Sequence, residues 1–332
     1  MDWTYRLRLR HLQVLLSLAS TGNLSQSATA LNTTQPALSK WLKELEEDVG
    51  LPLFERHARG LRPTSFGESL IEHARRIEAH LDVARDDMQA MREGGSGLVS
   101  IGTSGVSAAD TVPLAVARLL ERMPRAQVRL VENTMNQLMP QLARGELDIV
   151  VGRSGHQYDD PQLQTETLYT EPINFVAGLQ HRLAGNSTVS WDDVLAYSWI
   201  VWPQGTPVRT ALEAALTAEG RTLPNHCVES NSAILNLTLL NNTELVGVAS
   251  HRAALRFEQL NALRILPIRL EGFGSVSVYW HAENVNRAAV AIALESLRAF
   301  ADPHMSGFYH GEERRLHEID MKRSADIARP QN

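Results

Sequence analysis

The chain has almost no cysteine, since Cys227 is the only one among its 332 residues. Counting alone therefore excludes an intramolecular disulfide and a two-cysteine redox switch. This composition favours a reducing, cytoplasmic setting. No run of about 18 apolar residues occurs. We therefore expect no transmembrane helix and no membrane partner. The first residues also lack the apolar block of a signal peptide.

Motifs of catalysis and metal binding are missing as well. The spacings H-E-x-x-H, paired cysteines and the P-loop do not occur. Gly102-Thr103-Ser104-Gly105 is not a nucleophile elbow, because its second glycine falls one residue too early for G-x-S-x-G. His73 and His80 are seven residues apart, too far along a helix to chelate one ion together. We therefore expect no enzyme, no cofactor and no metal.

The net charge of −6 argues against binding of a polyanion over the whole protein surface. The charge is nevertheless unevenly distributed along the chain. Residues 1–65 contain eight Lys or Arg against six Asp or Glu, so the remaining chain is clearly acidic. The basic residues cluster at the start, in a predicted third helix and just after it. That distribution is typical of a DNA-reading end.

Three short helices are predicted near the N-terminus. Apolar spacing favours a first helix over about 8–21. A second helix over 26–31 would be capped by Ser25, and Asn32 suits the left-handed position of a tight turn. Thr34 would cap the third helix, with Pro36 in its first turn. This arrangement is a helix-turn-helix.

The outward face of the third helix carries groups that read DNA bases. Gln35 can pair with adenine, Lys40 can reach guanine, and Ser39 can contact base or phosphate. Three arginines follow in a wing and suit phosphate contacts. The alternative is a small helical bundle with a solvated polar face. The candidate DNA contacts are Ser25, Thr34, Gln35, Pro36, Ser39, Lys40, Lys43, Arg56, Arg59 and Arg62.

This stretch resembles the N-terminal domain of LysR-type transcriptional regulators. Thr33 and Ser27 depart from the usual aliphatic residue and alanine, and both small side chains should be tolerated. The matching elements are Ser25, Ala28, Leu31, Thr34-Gln35-Pro36-Ala37-Leu38-Ser39, Leu45-Glu46, Gly50, Leu53-Phe54-Glu55-Arg56, Arg59 and Thr64.

A long helix is predicted from Thr64 to about Glu93, where no proline interrupts the chain. Its apolar residues are spaced alternately four and three apart, which is a heptad seam. The alternative is a helix packed on its own domain, whereas the resemblance implies that the helix pairs subunits. Gly94-Gly95-Ser96-Gly97 would end it. The seam residues are Leu70, Ala74, Ile77, Leu81, Ala84, Met88 and Met91.

Strands and helices alternate beyond Gly97, and a βαβαβ order predicts a parallel sheet. The resemblance implies an effector domain of two α/β lobes, like a type 2 periplasmic binding protein. The fold class expected is therefore α/β with an N-terminal all-α winged helix-turn-helix and a long linker helix. The predicted domains are 1–65 for DNA binding, 66–93 for the linker and dimerisation helix, 94–302 for effector binding and 303–332 for a charged tail.

Polar residues follow several predicted strands, at the edge where such sheets bind ligands. Hydroxyls, amides and helix N-termini meeting there can hold a carboxylate or a polyhydroxylated ligand. Ordinary helix capping is the alternative for each residue alone. Trp199 and Trp202 are expected to pack in the core. The candidate effector contacts are Thr103, Ser104, Thr134, Gly205, Thr206 and Asn231, with Ser104 and Thr134 favoured by the resemblance.

The sequence thus predicts a transcriptional regulator whose effector changes the placement of its DNA-reading heads. Its expected partners are double-stranded promoter DNA, a small-molecule effector, RNA polymerase and further copies of itself, as a homodimer or homotetramer. The alternatives are an enzyme on the α/β region and a ligand-independent DNA-compacting protein. Three stretches also resemble the galactose-binding-protein regulator group: Arg10-His11-Leu12-Gln13, residues 56–62 and Gly94-Gly95-Ser96-Gly97. That favours a sugar or sugar acid as effector, then an aromatic carboxylate.

Overall fold

The computed structural model describes residues 3–57, 60–92, 97–105, 107–153 and 162–301. The chain forms two compact units, one built on Met1–Gln89 with Ala143–Glu146 and the other on the remainder. Arg59, Gly94, Gly95, Ser96 and the predicted tail 303–332 lie outside the described residues. In the described parts, no helix has both the length and the apolar character needed to cross a membrane.

The N-terminal unit is a helical bundle with a two-stranded hairpin. Its elements are a 3-10 turn Trp3–Arg6, α1 Leu9–Thr21, α2 Leu24–Ala30, α3 Gln35–Val49, β1 Phe54–His57, β2 Gly60–Pro63 and α4 Ser65–Arg92. The apolar faces of the helices meet the hairpin in one core. Its buried residues are Leu12, Leu15, Leu18, Leu42, Leu45, Leu53, Phe54, Leu61, Ile71 and Ala74.

Local capping explains where the second and third helices begin. Asn32 has φ of 49°, the left-handed turn conformation that was predicted. Thr34 caps α3, since its Oγ1 accepts from the Ala37 N–H at 3.4 Å. The predicted cap of the second helix is wrong. Asn23 caps α2 two residues earlier, accepting from the N–H groups of Ser25 and Gln26 at 2.9 and 3.2 Å.

The C-terminal unit continues the alternation of strands and helices. Its elements are β3 Leu98–Thr103, α5 Thr111–Arg122, β4 Gln127–Glu132, α6 Met135–Ala143, β5 Ile149–Arg153, β6 Leu163–Ala177, α7 Trp191–Leu195, β7 Trp199–Val201, α8 Pro207–Ala218, β8 Cys227–Glu229, α9 Ala233–Asn242, β9 Val246–Ser250, α10 His251–Gln259, β10 Arg264–His281, a 3-10 turn Ala282–Asn286 and α11 Ala288–Ala301.

Eight strands form one mixed sheet in the order β4-β3-β5-β10-β6-β9-β7-β8. The predicted βαβαβ groups are parallel, β3 with β4 and β5 in one lobe and β7 with β8 and β9 in the other. The two long strands β6 and β10 run antiparallel to each other and to their neighbours. The predicted parallel pairing thus holds within each lobe, while the sheet as a whole is mixed because the chain crosses between the lobes twice.

Each crossing strand belongs to both lobes. The start of β10 pairs with the end of β6, Arg264 with Ala177, inside the lobe that contains β9. Its end pairs with β5, Trp280 with Ile149, inside the lobe that contains β3. We call the β3–β5 half lobe I and the β7–β9 half lobe II. A cleft between two such lobes is bordered by the carboxyl ends of the parallel strands.

Candidate functional site

The DNA-reading face combines α3 with the hairpin, here called the wing. Gln35, Lys40 and Lys43 are exposed along α3, and Ser39 is half-buried. The Arg56 Nη2 of the wing donates to Ser39 Oγ at 3.3 Å, so the wing lies directly beside the helix. Arg62 is exposed on β2. Basic groups of both elements therefore share one surface, as phosphate and base contacts require.

A half-buried carboxylate holds the wing in that place. Glu46 Oε1 on α3 accepts from the N–H groups of Leu53 and Phe54, at 2.8 and 3.0 Å. Gly60 has φ of 129°, and a Cβ there would lie 2.3 Å from the Gly22 carbonyl oxygen. Only glycine fits that close approach of hairpin and helix end. The position of the wing is thus fixed by the Glu46 carboxylate and by this close backbone approach.

The candidate sensing site is a cavity of about 270 Å³ between the lobes, here called the cleft. Lobe I contributes Ser104, Thr134 and Arg153, and lobe II contributes Thr206 and Asn231. Three parallel strand ends in lobe I and two in lobe II supply these residues. Its remaining lining residues are Gly105, Glu132, Asn133, Met135, Trp202, Pro207, Val208, Ser232, Ala233 and Ile234.

The predicted effector residues fall into two groups. Ser104, Thr134, Thr206 and Asn231 line the cleft, whereas Thr103 and Gly205 do not. Thr103 Oγ1 is buried and hydrogen-bonds Ser107 Oγ at 2.9 Å. Gly205 is exposed, and its carbonyl accepts from Asn136 Nδ2 of lobe I at 3.3 Å. This bond joins the two lobes beside the cleft.

Ser104 is poised for a ligand rather than for a helix. Its Oγ is buried and has no hydrogen-bond partner among the described residues. Helix α5 begins only at Thr111, and Asp110 is its cap. Gly152 makes room for this side chain, because a Cβ there would lie 2.5 Å from Ser104 Oγ. An unpaired buried hydroxyl costs free energy, which a ligand hydrogen bond would recover.

Arg153 was missed as a site residue by sequence reasoning. It ends β5, is 2% exposed and lines the cleft. Its Nη2 donates to the Glu171 carbonyl at 3.4 Å, while Nε and Nη1 have no partner in the described chain. The available signal was a charged residue ending an otherwise apolar buried strand, Ile149-Val150-Val151-Gly152-Arg153.

Glu171 on β6 is the acid beside Arg153, but the pair is loose. Glu171 Oε1 and Arg153 Nη2 are 3.9 Å apart, and Oε1 accepts no hydrogen bond from the described residues. Glu171 Oε2 accepts instead from the Arg252 N–H at 2.9 Å. Burial raises the pKa of Glu171 to about 7, against the lowering effects of that N–H and of Arg153. Arg153 therefore keeps cationic character that its neighbour neutralises incompletely.

A second buried arginine ties the lobes together behind the cleft. Arg252 at the start of α10 donates to the carbonyls of Phe300 and Ala301 on α11, at 2.8 and 2.7 Å. It also lies 3.5 Å from Asp110 and over the ring of Tyr169. These partners satisfy the Arg252 guanidinium within the protein. Among the buried arginines of the described residues, Arg153 is therefore the one suited to a ligand.

The chain matches two families over nearly all of its described length. Residues 9–68 match "Bacterial regulatory helix-turn-helix protein, lysR family", and residues 92–302 match "LysR substrate binding domain". The chain belongs to the LysR family. It is a DNA-binding transcriptional regulator with an effector-binding domain, and its relatives below are regulators rather than enzymes.

Two relatives and one solved structure show the extent of the similarity. GbpR of Azospirillum brasilense is 31% identical over 307 residues, covering 90% of this chain and 88% of GbpR. GalR of Pseudomonas putida is 28% identical over 292 residues, covering 87% of this chain and 73% of GalR. Full-length CbnR in complex with its target DNA has a TM-score of 0.65 at 20% identity, covering 89% of this chain and 100% of CbnR.

In this LysR regulator, one side of the linker helix α4 is apolar and unusually open. Ile77, Leu81 and Met88 are 41%, 42% and 59% exposed. Ala74 does not belong with them, because it is buried in the core of the N-terminal unit. The open part of the predicted seam is therefore Ile77, Leu81, Ala84 and Met88, a surface suited to a second helix. Regulators of this family bind DNA and small-molecule effectors and oligomerise.

No metal centre accompanies these sites in the described segments. There, no group of three or more His, Cys, Asp or Glu side chains is placed to hold an ion. The cleft offers hydrogen bonding and charge: the Ser104 and Thr134 hydroxyls, the Asn231 amide, the Arg153 guanidinium and the exposed Glu132 carboxylate. The Thr206 hydroxyl already caps α8, donating to the Pro203 carbonyl at 2.7 Å and accepting from the Arg209 N–H at 3.4 Å. The buried Arg153 guanidinium is the group suited to a small polar molecule bearing negative charge.

Proposed function

We propose that this regulator binds an interrupted DNA dyad in the cytoplasm as a homodimer or homotetramer and signals to RNA polymerase. The α3 side chains Gln35, Ser39 and Lys40 read bases, and the wing arginines Arg56, Arg59 and Arg62 hold phosphates. Ser25, Thr34, Pro36 and Lys43 complete the contact surface. The shared basic face of α3 and the wing supports this proposal.

The effector is a small organic acid bound in the cleft. The observation that carries this part is the buried guanidinium of Arg153 with two unpartnered N–H groups, beside the unpartnered Ser104 Oγ. An acid group placed there would accept charge-assisted hydrogen bonds. A neutral sugar would leave the Arg153 charge uncompensated, so a sugar acid or an aromatic carboxylate fits better than a neutral sugar.

Effector binding draws the lobes together. Ser104, Thr134 and Arg153 belong to lobe I, while Thr206 and Asn231 belong to lobe II. A ligand touching both sets favours the closed arrangement by its extra contacts. The hydrogen bond from Asn136 to Gly205 spans the same gap and would strengthen as the lobes approach. Closure then changes the relative placement of the DNA-reading heads and their contact with RNA polymerase.

The test uses the full chain and matched pairs of ligands. Thermal shift and calorimetry would compare gluconate with glucose and benzoate with benzyl alcohol. We expect binding of at least one acid and none of its neutral partner. Arg153→Gln should weaken acid binding by about 10-fold to 100-fold, as a charged hydrogen bond is worth ~1.5–3 kcal/mol.

Arg182→Gln is the matched control, because Arg182 is 80% exposed on its side chain and lies outside the cleft. It should bind the acid like the native chain. Equal binding of acids and neutral partners, or unchanged acid affinity in a folded Arg153→Gln variant, would contradict the acid proposal. DNA binding of both variants without effector should remain, which separates sensing from reading.

A further inference from the structure

A second cavity opens beside the cleft, inside lobe II, with a volume of about 60 Å³. We call it the chamber. It lies between β6, β7 and β9 on one side and helices α9 and α10 on the other. Its lining is mainly apolar: Val176, Ile200, Trp202, Leu237, Leu240, Val248, Ala249, Ala253, Phe257 and Leu263, together with Gly105, Asn231, Ala233, Asn236, Gly247 and Ser250.

The chamber and the cleft are parts of one site. Gly105, Trp202, Asn231 and Ala233 line both cavities. A water molecule needs only ~10–15 Å³ of such space, so the chamber has room for several heavy atoms of a ligand. The alanines Ala249 and Ala253 keep it open, because longer side chains at those positions would extend into it.

Two further features point to a ligand in the chamber. Asn236 Oδ1 is buried in its wall and has no hydrogen-bond partner in the described chain. Ile234, which lines the adjoining cleft, is 78% exposed, an unusual exposure for a large apolar side chain. An occupant reaching from the cleft would cover the isoleucine and could donate to the amide oxygen.

We propose that the effector is an amphipathic carboxylate whose acid group lies at Arg153 and Ser104 and whose apolar body enters the chamber. This inference rests on the proposed function, since it takes the acid group to lie at Arg153. It distinguishes between the two effector classes that the sequence left open. A sugar acid would place several hydroxyls against a mainly apolar lining, where Asn231, Asn236 and Ser250 offer too few partners for them.

Straight-chain carboxylates from acetate to octanoate provide the test, measured by calorimetry on the full chain. Each methylene that enters the chamber should raise affinity about fourfold until the chamber is full. Gluconate should bind no better than the shortest acids. A flat affinity along the series, or gluconate binding more tightly than every apolar acid, would overturn the proposal.

Variants of the chamber locate the effect. Ala253→Leu should fill the space and remove the gain for long acids, while short acids bind as before. Ala214→Leu is the matched control, since Ala214 is exposed on α8 and outside both cavities. Leu237→Ala enlarges the chamber and should move the optimum to a longer acid, which keeps the test valid if Ala253→Leu folds poorly.

The two proposals fail differently. If Ala253→Leu and Leu237→Ala leave the chain-length profile unchanged while Arg153→Gln abolishes acid binding, the chamber is a packing gap and the acid site stands. If Arg153→Gln binds every acid normally while the profile still responds to the chamber variants, the acid site is elsewhere and the apolar subsite stands.

Discussion

Glu171 is 3% exposed, and its carboxyl group lies between Arg153 and the backbone N–H of Arg252. Its pKa is raised from 4.5 to about 7, chiefly because burial disfavours the ionised form. The folded protein therefore binds this proton more tightly than the unfolded chain does. The contribution of this bound proton to the free energy of unfolding is fully present below pH 4.5 and is lost as pH rises through about 7.

Glu171→Gln should remove that pH dependence. Urea unfolding at pH 5 and pH 8 measures the free energy at both values, and the drop on raising pH should be smaller in the variant by about 1–3 kcal/mol. Asp110 and His251 also titrate, but they are present in both proteins and cancel in the comparison. Parallel pH profiles for the two proteins would show that Glu171 ionises normally.

Gln35 is the first residue of α3 and is exposed. A Gln side chain pairs with adenine through two hydrogen bonds, so Gln35→Ala should lose about 1–3 kcal/mol of discrimination at one base position. Selection of binding sites from random DNA measures that preference. Gln13→Ala, at an exposed position on α1, is the control and should leave it intact. If both variants select the same sites as the native chain, another element reads the bases.

At the scale of elements, the wing and α3 form one surface because Glu46 fixes the start of β1. Arg56 bonds Ser39 in this structure and is a proposed phosphate contact. Arg56→Ala should weaken binding to all sequences about equally and lower the salt slope by about one. Arg182→Ala in lobe II should leave the slope alone. A loss confined to one DNA sequence would instead place Arg56 in a groove.

Helix α4 presents Ile77, Leu81 and Met88 as a partly exposed apolar row. Leu81→Asp would place a carboxylate in a subunit seam, which is costly without a partner. Light scattering should show dissociation, with a loss of operator affinity. Arg76→Asp adds the same group outside the row and should remain assembled. An assembled Leu81→Asp variant with full affinity would mean that this row packs elsewhere.

Across the whole molecule, reading and sensing depend on different cores. The buried residues around Leu15 belong to the N-terminal unit, and the cores that hold the cleft belong to the C-terminal unit. Effects at separate sites without shared partners are nearly additive. Damage to one core should therefore spare the function of the other.

Leu15→Ala tests this independence. Leu15 is 2% exposed, so its truncation should cost about 2–5 kcal/mol in the N-terminal unit and weaken operator binding. Calorimetry should find the acid affinity of the cleft unchanged. Leu212→Ala, in the core of lobe II, makes the corresponding change in the C-terminal unit. It should lower the thermal stability that effector binding adds. A parallel loss of acid affinity in Leu15→Ala would show that the two units share one cooperative fold.

Local pattern accounts for the elements that the sequence predicted well. Apolar spacing placed α1 within one residue of its observed start, and Thr34 caps α3 as predicted. Strand β6, from Leu163 to Ala177, was missed because its burial is irregular and Pro172 interrupts it. Three register shifts likewise interrupt its pairing with β10.

The cleft was half predictable for the same physical reason. Ser104, Thr134, Thr206 and Asn231 follow strands or precede helices, and that local position predicted them. Thr103 was expected beside Ser104, yet its side chain turns to Ser107, since successive strand residues face opposite sides. Trp199 packs in the core as expected, and Trp202 packs against the same core while it also borders both cavities.

Chain chemistry by itself thus established the family, the DNA-reading helix and the alternation of the effector domain, because each depends on residues close together in sequence. The proposed preference of the cleft for acids, and the chamber beside it, depend on tertiary contacts. Arg153 is a candidate ligand contact only because β6 places Glu171 near it without satisfying all of its N–H groups. The chamber exists only where helices α9 and α10 fail to fill the space over the sheet. Burial and incomplete pairing are properties of distant neighbours, which no local pattern contains.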